Sequence, residues 1–374
     1  MNQAKRTVLA GLAAAVPRYS MTQQEIVEIG KTLCGVEDGD LDGFLDAIYQ
    51  GTEIQRRSSV LLERPEGESP RQFFFPASQG PADHGPTTLD RMQRYAQESP
   101  QLATKVCRKA IEKAGLSSEA ITHLVTVSCT GFSAPGFDLA LFESLGLSPE
   151  TQRTHLGFMG CHGALNALRV GQALARLESK NRILVCAVEL CSLHFAYGAQ
   201  PQQLIANALF ADGAAAVVLS SEESKAESPQ LPGWRHLASG SLLFPNSQQA
   251  MTWTIGNHGY TMTLSRKVPE LIAGNLRPWL ESWLAQYDLN LSEIATWAVH
   301  PGGPKILAAV SESLSLAPDS LDASLSILRR HGNMSSPTIL FILEELLRRD
   351  AKGPCVALGF GPGLVVEAAL LHRE

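Results

Sequence analysis

The stretch His155-Leu-Gly-Phe-Met-Gly-Cys161-His-Gly-Ala-Leu-Asn-Ala-Leu-Arg169 leads a cysteine out of two closely spaced glycines and into a segment where Ala and Leu recur at helical spacing. This predicts a tight loop and then a helix over 163–179, with Cys161 at its first turn. Backbone N–H groups and the dipole at a helix start favour a thiolate, the form of cysteine that attacks a thioester. The competing reading is an inert, buried thiol, the commoner state of a cysteine on an apolar helix. Outward from this segment, the apolar runs 124–127 and 183–188 read as buried strands, and they alternate with helical patterns at 99–115 and 163–179. That alternation predicts α/β layering.

The second half of the chain repeats the theme: a helical pattern over 267–287, a short strand at 296–299, helices at 304–315 and 337–348, and terminal strands at 355–359 and 364–371. The polar, Pro-containing segment 221–233 divides the halves, giving units 1–225 and 226–374; a second such segment lies at 62–72. A length of 374 residues, 44% hydrophobic, suits two domains or one large fold of two halves. A net charge of −6 gives no basic footprint for nucleic acid. Seven cysteines without paired spacing suggest reduced thiols and a cytoplasmic setting. Lys5 and Arg6 precede the apolar run 7–17, as in a secretory signal. The competing expectation is a buried strand at 7–9 and a small-residue loop, followed by a helix capped by Thr22 with Glu25 three residues on. No run reaches the roughly 18–20 apolar residues of a membrane span.

Two further loops bear on Cys161. Trp297-Ala-Val-His300-Pro-Gly-Gly-Pro-Lys305 puts a histidine at a strand end before a turn that opens a helix, and Gly332-Asn333-Met-Ser335-Ser does the same with an asparagine. Each has a bland reading, a strand-end histidine bonded to a carbonyl and an N-cap asparagine. Together, three polar groups on three loops make a Cys-His-Asn set, in which His300 and Asn333 would donate to a thioester oxygen as negative charge develops.

The segments Gly160-Cys161, Ala208-Leu-Phe210-Ala-Asp212-Gly213, His300-Pro-Gly-Gly-Pro, Gly332-Asn333-Met-Ser-Ser and Gly359-Phe-Gly361-Pro-Gly363 occur in this order along most of the chain. On them the sequence resembles the type III polyketide synthases of the chalcone and stilbene synthase family. The resemblance implies a thiolase-like αβαβα fold of two similar halves, a homodimer, and a triad of Cys161, His300 and Asn333. It implies an acyl-CoA starter loaded on Cys161, extension by decarboxylative condensation with malonyl-CoA, and ring closure to a pyrone, resorcinol or related product. Coenzyme A thioesters would be substrates, with no permanently bound cofactor and no metal.

The same resemblance assigns Phe210 to the malonyl group, although a plain core aromatic is the competing reading. It makes Gly359, Gly361 and Gly363 a cavity wall and Ser335 a cavity neighbour, and it makes Arg56, Arg57 and Lys305 candidates for coenzyme A, each of which competes with a solvated surface charge. Plant relatives carry threonines at Cys191 and His194, glycine at Trp253, phenylalanine at Met262 and methionine at Ala134, so the cavity here should differ in shape. Met262 would admit an aliphatic chain, with an ordinary core position as the competing reading, and the resemblance implies a cis Ala134–Pro135 bond. Cys129, Cys186 and Cys191 lack a zinc spacing. Glu189 and Asp212, each alone in an apolar run, are expected to be buried with backbone or arginine partners. The runner-up is a single-condensation enzyme of the ketoacyl synthase III class served by acyl-carrier protein, which would carry His-Gln-Ala-Asn in place of His300-Pro-Gly-Gly. A papain-like hydrolase lacks its Cys-Gly-Ser-Cys-Trp segment, and an intact triad argues against a silent scaffold.

Overall fold

The computed structural model describes residues 6–34, 39–222 and 233–374, with only the backbone for 39–42. Most of the expected junction, including the boundary at 225, lies outside the described residues. Nine strands form one sheet in the order β13 (Thr296–Val299), β14 (Gly353–Gly361), β15 (Val365–Arg373), β10 (Arg235–Leu243), β1 (Thr7–Ala15), β9 (Asp212–Ser221), β8 (Arg182–Leu190), β6 (His123–Ser128) and β7 (Gln152–Gly157).

The two halves of this sheet meet where Thr7 pairs with His236 and Val8 with Arg235. Moving out from that seam, each half repeats the same directions. On one side β1–β9 and β9–β8 are antiparallel and β8–β6 parallel. On the other, β10–β15 and β15–β14 are antiparallel and β14–β13 parallel.

Both faces of both halves are covered, which is why the strands read as continuous apolar runs instead of alternating ones. On β8, Ile183, Val185 and Ala187 join one core while Leu184, Cys186 and Val188 join another. On β14, Cys355 and Ala357 join that first core, and Val356, Leu358 and Phe360 a third. The shared core holds α5 (Gly163–Leu177) and α10 (Thr338–Arg348), while α3 (Thr88–Lys113) and α4 (Phe137–Leu145) cover one outer face and α7 (Val268–Ala285) and α8 (Pro304–Leu314) the other. The result is five layers, αβαβα, with α5 and α10 sandwiched in the centre. Around one end lie α1 (Gln23–Cys34), α2 (Gly39–Gln50), α6 (Pro201–Leu209), α9 (Asp322–His331) and the two-stranded pairs β2 (Ser20–Thr22) with β3 (Arg56–Ser58), β4 (Leu62–Glu63) with β5 (Arg71–Gln72), and β11 (Met251–Gly256) with β12 (Gly259–Leu264).

Three differences from the sequence reading have local causes. Strand β1 does not stop at residue 9 but runs through the small residues to Ala15, with a register shift at Gly11. A Cβ on Gly11 would lie 2.1 Å from the Ala110 carbonyl oxygen, so the small residues let α3 press onto the strand. Helix α3 starts at Thr88, not 99, because the Thr87–Asp90 capping box nucleates it and the inward face of Arg91, Tyr95, Ser99 and Leu102 carries it past Pro100. The edge strand β7 carries no apolar run, because Gln152 to His155 are exposed and polar. The helix after Thr22 is present, with the Thr22 hydroxyl and Glu25 carboxylate bonded reciprocally.

Gly11→Ala should cost about 2–3 kcal/mol through overpacking against α3. The urea midpoint checks this, and a midpoint equal to wild type would mean that α3 yields.

Candidate active site

Cys161 immediately precedes His162, the N-cap of α5. The loop that delivers it passes through Gly160 at φ +85°, where an added Cβ would meet Pro362 Cδ at 2.3 Å. Glycine is therefore needed both for the left-handed backbone and for the approach of the β14–β15 turn. His300 leaves β13 with its N–H bonded to the Leu358 carbonyl at 2.8 Å, and its two ring nitrogens are buried without a partner among the described residues. Asn333 is fixed by a parallel bridge to Phe210: its N–H donates to Leu209 O and its carbonyl accepts from Ala211 N–H, both at 2.9 Å. Asn333 Oδ1 accepts from Ser335 N–H at 2.8 Å, so the amide NH2 is the end left for a ligand. Ser335, at φ +56°, donates its hydroxyl to Cys161 Sγ at 3.5 Å and lies 3.3 Å from Cys129 Sγ.

Cys161, Phe210, His300, Asn333 and Ser335 line one mostly apolar cavity of about 160 Å³, with Cys191, His194, Trp253 and Met262 on the same wall. Trp253 and Met262 are paired across the β11–β12 hairpin, and the Trp253 indole donates to the Cys129 carbonyl at 2.7 Å. The cavity also extends along Ile26, Ile29 and Leu33 of α1 to Leu61 and Phe75. Those residues carry no sequence signal beyond an amphipathic helix and scattered apolar positions, so only the tertiary structure shows that they face the cavity.

Several expectations need correction. The helix start does not by itself keep Cys161 as a thiolate: burial pushes its thiol up to about 11, against the lowering by the Ser335 hydroxyl. Burial also holds His300 down at about 3, helped by the nearby His162. Both side chains line the cavity, one as a thiol and the other as a neutral imidazole.

Arg57 is not a solvated cation. It is buried, donates to Gln23 Oε1 and to the Asn207 and Phe210 carbonyls, and its remaining Nη2 is buried too, so it holds the Phe210 segment. Arg56 is exposed on β3 and donates to Ser20, and Lys305 is exposed in the first turn of α8, next to Ile306 of the cavity lining; neither side chain is itself among the lining residues. Phe360 and Pro362, not Gly359, Gly361 and Gly363, face the cavity. A Cβ on Gly361 would sit 2.3 Å from the His162 ring, so these glycines admit His162 instead of lining a wall. His194 has both ring nitrogens engaged, one with Thr130 O at 2.7 Å and the other with Tyr260 N–H at 3.1 Å, and it stacks on Tyr260, which leaves no nitrogen for proton transfer.

Behind the cavity, Glu189 accepts from Cys129 N–H, Ser128, Thr130 and Ser336, tying the loop after β6 to the start of α10; burial raises its pKa. Asp212 accepts from Val60 N–H and from Ser192 N–H and hydroxyl, and burial takes it up to about 6. Both acids are buried structural acceptors; their partners are backbone and hydroxyl groups, with no arginine among them. Among the described residues no cluster of three metal-ligating side chains occurs, and no helix is long and apolar enough to cross a membrane. The Ala134–Pro135 bond is cis.

Burial also holds His194 and His236 at about 3, as it does His300. In the unfolded chain each titrates near 6.5. Above pH 6.5 they are neutral in both states; below it the unfolded chain takes up protons that the folded protein refuses until about pH 3, so stability falls as pH drops. At roughly 1.4 kcal/mol per pH unit per histidine, the melting temperature should fall steeply between pH 6.5 and 5. Equal melting temperatures at pH 7.5 and 5.0 would contradict this.

Residues 1–223 match the family model "Chalcone and stilbene synthases, N-terminal domain", and residues 236–373 match the corresponding C-terminal domain. The chain is 33% identical to type III polyketide synthase C of Arabidopsis thaliana, over 99% of this chain and 96% of that protein. It is 30% identical to the alpha-pyrone synthesis polyketide synthase-like Pks18 of Mycobacterium tuberculosis, over 97% and 90%. The crystal structure of PKS-I from the brown alga Ectocarpus siliculosus superposes with a TM-score of 0.91 at 30% identity, covering all of both chains. With the five-layer fold and a cysteine, a histidine and an asparagine gathered at one cavity, the chain belongs to the chalcone and stilbene synthase family and is a type III polyketide synthase, an acyltransferase of the thiolase-like fold.

Proposed function

We propose that Cys161 is the nucleophile that receives the starter acyl group from a coenzyme A thioester. Its sulfur attacks the thioester carbonyl, the new C–S bond replaces the bond to coenzyme A, and the thiol proton passes through His300 to the departing thiolate. Malonyl-CoA then loses carbon dioxide beside it. The enolate oxygen accepts hydrogen bonds from His300 and the Asn333 NH2, and the apolar face of Phe210 favours departure of the carboxylate. The enolate carbon attacks the acyl-Cys161 carbonyl, a C–C bond forms and the C–S bond breaks, which frees Cys161 for the next round. The observation that carries this reading is the convergence of Cys161, His300 and Asn333, from three separate segments, on one cavity.

The apolar wall of Trp253, Met262, Ile26, Ile29 and Leu33 suits an aliphatic starter, and the pyrone-forming relative supports closure to a pyrone. No resident cofactor or metal is required by these steps. The working unit is read as a homodimer, supported by the unpaired edge strand β7 and by the exposed Phe132, Leu139 and Met159 beside it. A single condensation on acyl-carrier protein is not favoured by the family models. Incubation with malonyl-CoA and a panel of aliphatic and aromatic acyl-CoA starters, followed by mass spectrometry, should yield extended, cyclised products; absence of any condensed or decarboxylated product would overturn the reading.

Arg56 on β3 and Lys305 at the start of α8, both exposed, are the candidates for the coenzyme A phosphates. Arg56→Ala should raise KM for acyl-CoA severalfold with kcat unchanged. Arg57→Ala should lower the melting temperature, because it strips a charged donor from two buried acceptors, on Gln23 and Asn207, and from the part-buried Phe210 carbonyl. The opposite pattern in steady-state kinetics and thermal melts would reverse these assignments.

A further inference from the structure

The reaction steps above leave Asp212 unused, although two hydroxyls join it to the cavity. Its carboxylate is fully buried at the start of β9. Oδ1 accepts from Ser192 N–H at 2.8 Å, and Oδ2 accepts from Val60 N–H at 2.9 Å and from the Ser192 hydroxyl at 2.6 Å. The Ser59 hydroxyl donates in turn to Ser192 Oγ at 2.7 Å, and its oxygen accepts from Leu61 N–H at 3.0 Å. Ser59, just after β3, and Ser192, in the turn after β8, are half-buried and line the same cavity as Cys161.

The direction of these bonds fixes what the two hydroxyls offer. A carboxylate has no proton to give, so the Ser192 hydrogen points to Asp212 and the Ser59 hydrogen is the one shared between the serines. Burial takes Asp212 only to about 6, so it is ionised at neutral pH and this order holds there. Both hydroxyl hydrogens are thus spent inside the wall. Each serine oxygen keeps one of its two lone pairs, so the patch accepts hydrogen bonds and donates none. Two neighbouring amides of the lining are already engaged: Gln72 bonds Phe75 through both ends, and Asn207 bonds Ala196 in the same way.

A growing polyketide carries 1,3-dicarbonyl units, each of which exists in a keto and an enol form. A keto oxygen only accepts, and against the serine oxygens it would set acceptor against acceptor in a mostly apolar cavity. An enol hydroxyl donates and fits. We propose that Ser59 and Ser192, oriented by Asp212, form an acceptor-only subsite that binds an enol hydroxyl of the extended chain and rejects its keto form. This inference rests on the polyketide reading for the identity of the chain. Asp212 does not touch the chain; it is a positioning residue that holds both hydroxyl hydrogens out of the cavity. The subsite selects as much by what it excludes as by what it binds.

The test measures binding at pH 7.5 by calorimetry, with thermal melts to verify folding. The probes are 5-pentylresorcinol, whose neutral phenolic hydroxyls stand in for the enol, and 1,3-difluoro-5-pentylbenzene, which is of similar size and has no donor. The ratio of their dissociation constants should shift by about tenfold toward the difluoro compound in Ser192→Ala, the loss of one hydrogen bond. Ser59→Ala should shift it the same way by a smaller factor. Asp212→Asn brings an amide that can donate to Ser192, which turns the hydroxyl hydrogens toward the cavity, so it too should erode the preference for the diol. A ratio unchanged from wild type in the folded serine variants overturns the proposal, as does failure of the wild type to bind the diol; the serine variants decide if Asp212→Asn does not fold. The measurement needs no acyl transfer. A wild type that forms no polyketide would therefore remove the catalytic reading, while the preference of the subsite stays separately measurable.

Discussion

Cys161→Ala is expected to lower polyketide formation by at least about three orders of magnitude while leaving the fold intact. In the proposed mechanism the Cys161 sulfur holds the growing chain, so its loss removes the covalent route instead of weakening it. Alanine fits without strain: Cys161 is at an ordinary backbone position between Gly160 and the N-cap, and it gives up only the Ser335 hydrogen bond. Intact-protein mass spectrometry after incubation with acyl-CoA should show one added acyl group on wild type and none on the variant. His300, Asn333 and Phe210 remain in the variant, so slow loss of carbon dioxide from malonyl-CoA should persist without condensation. An acyl adduct on the variant would direct attention to Cys129 or Cys191 on the same wall; full product formation would refute the assignment.

Glu189→Ala is expected to cost about 4–5 kcal/mol of stability and to lower the melting temperature by roughly 5 °C or more. The side chain is fully buried, and both its oxygens are taken by donors from two segments that must stay in register. It meets Cys129 N–H at 2.9 Å and the Thr130 hydroxyl at 2.7 Å on the loop after β6, and the Ser336 hydroxyl at 2.5 Å at the start of α10. Removing the acceptor strands those donors in a dry interior, where each unpaired group costs far more than a normal hydrogen bond contributes. Ser336 follows Ser335, and Cys129 faces it, so the loosening also reaches the Cys161 sulfur and turnover should fall further than the melt alone implies. Glu189→Gln restores one acceptor but points a new donor at existing donors, so it should lie between wild type and alanine. A Glu189→Ala protein that melts within a degree of wild type would show that water replaces the carboxylate.

Much of the layering was legible because a strand buried on both faces has to be apolar throughout, and 183–188 and 355–359 meet that condition. The terminal strands, β13 and the helices α5, α7, α8 and α10 follow from the same periodicities within a few residues. Polarity hid β7, and cavity-facing positions hid β11 and β12, where Trp253 and Met262 point into open space instead of a core. Neighbouring arginines behave differently for a tertiary reason alone: Arg56 and Arg57 alternate across β3, so one meets solvent and the other the carbonyls of α6 and Phe210. The glycines near the C-terminus were legible as a motif but not as a contact, since their partner, His162, is nearly 200 residues earlier in the chain.

By itself the sequence determined the family, the fold class and the three residues that meet at the cavity, because these are carried by local spacing and by residue types that short segments preserve. The tertiary structure decided how deeply Cys161 and His300 are buried, the shape of the cavity and which of the two neighbouring arginines is exposed. Those properties depend on burial and on neighbours far away in the chain, and for Cys161 and His300 burial outweighs what their local positions suggest.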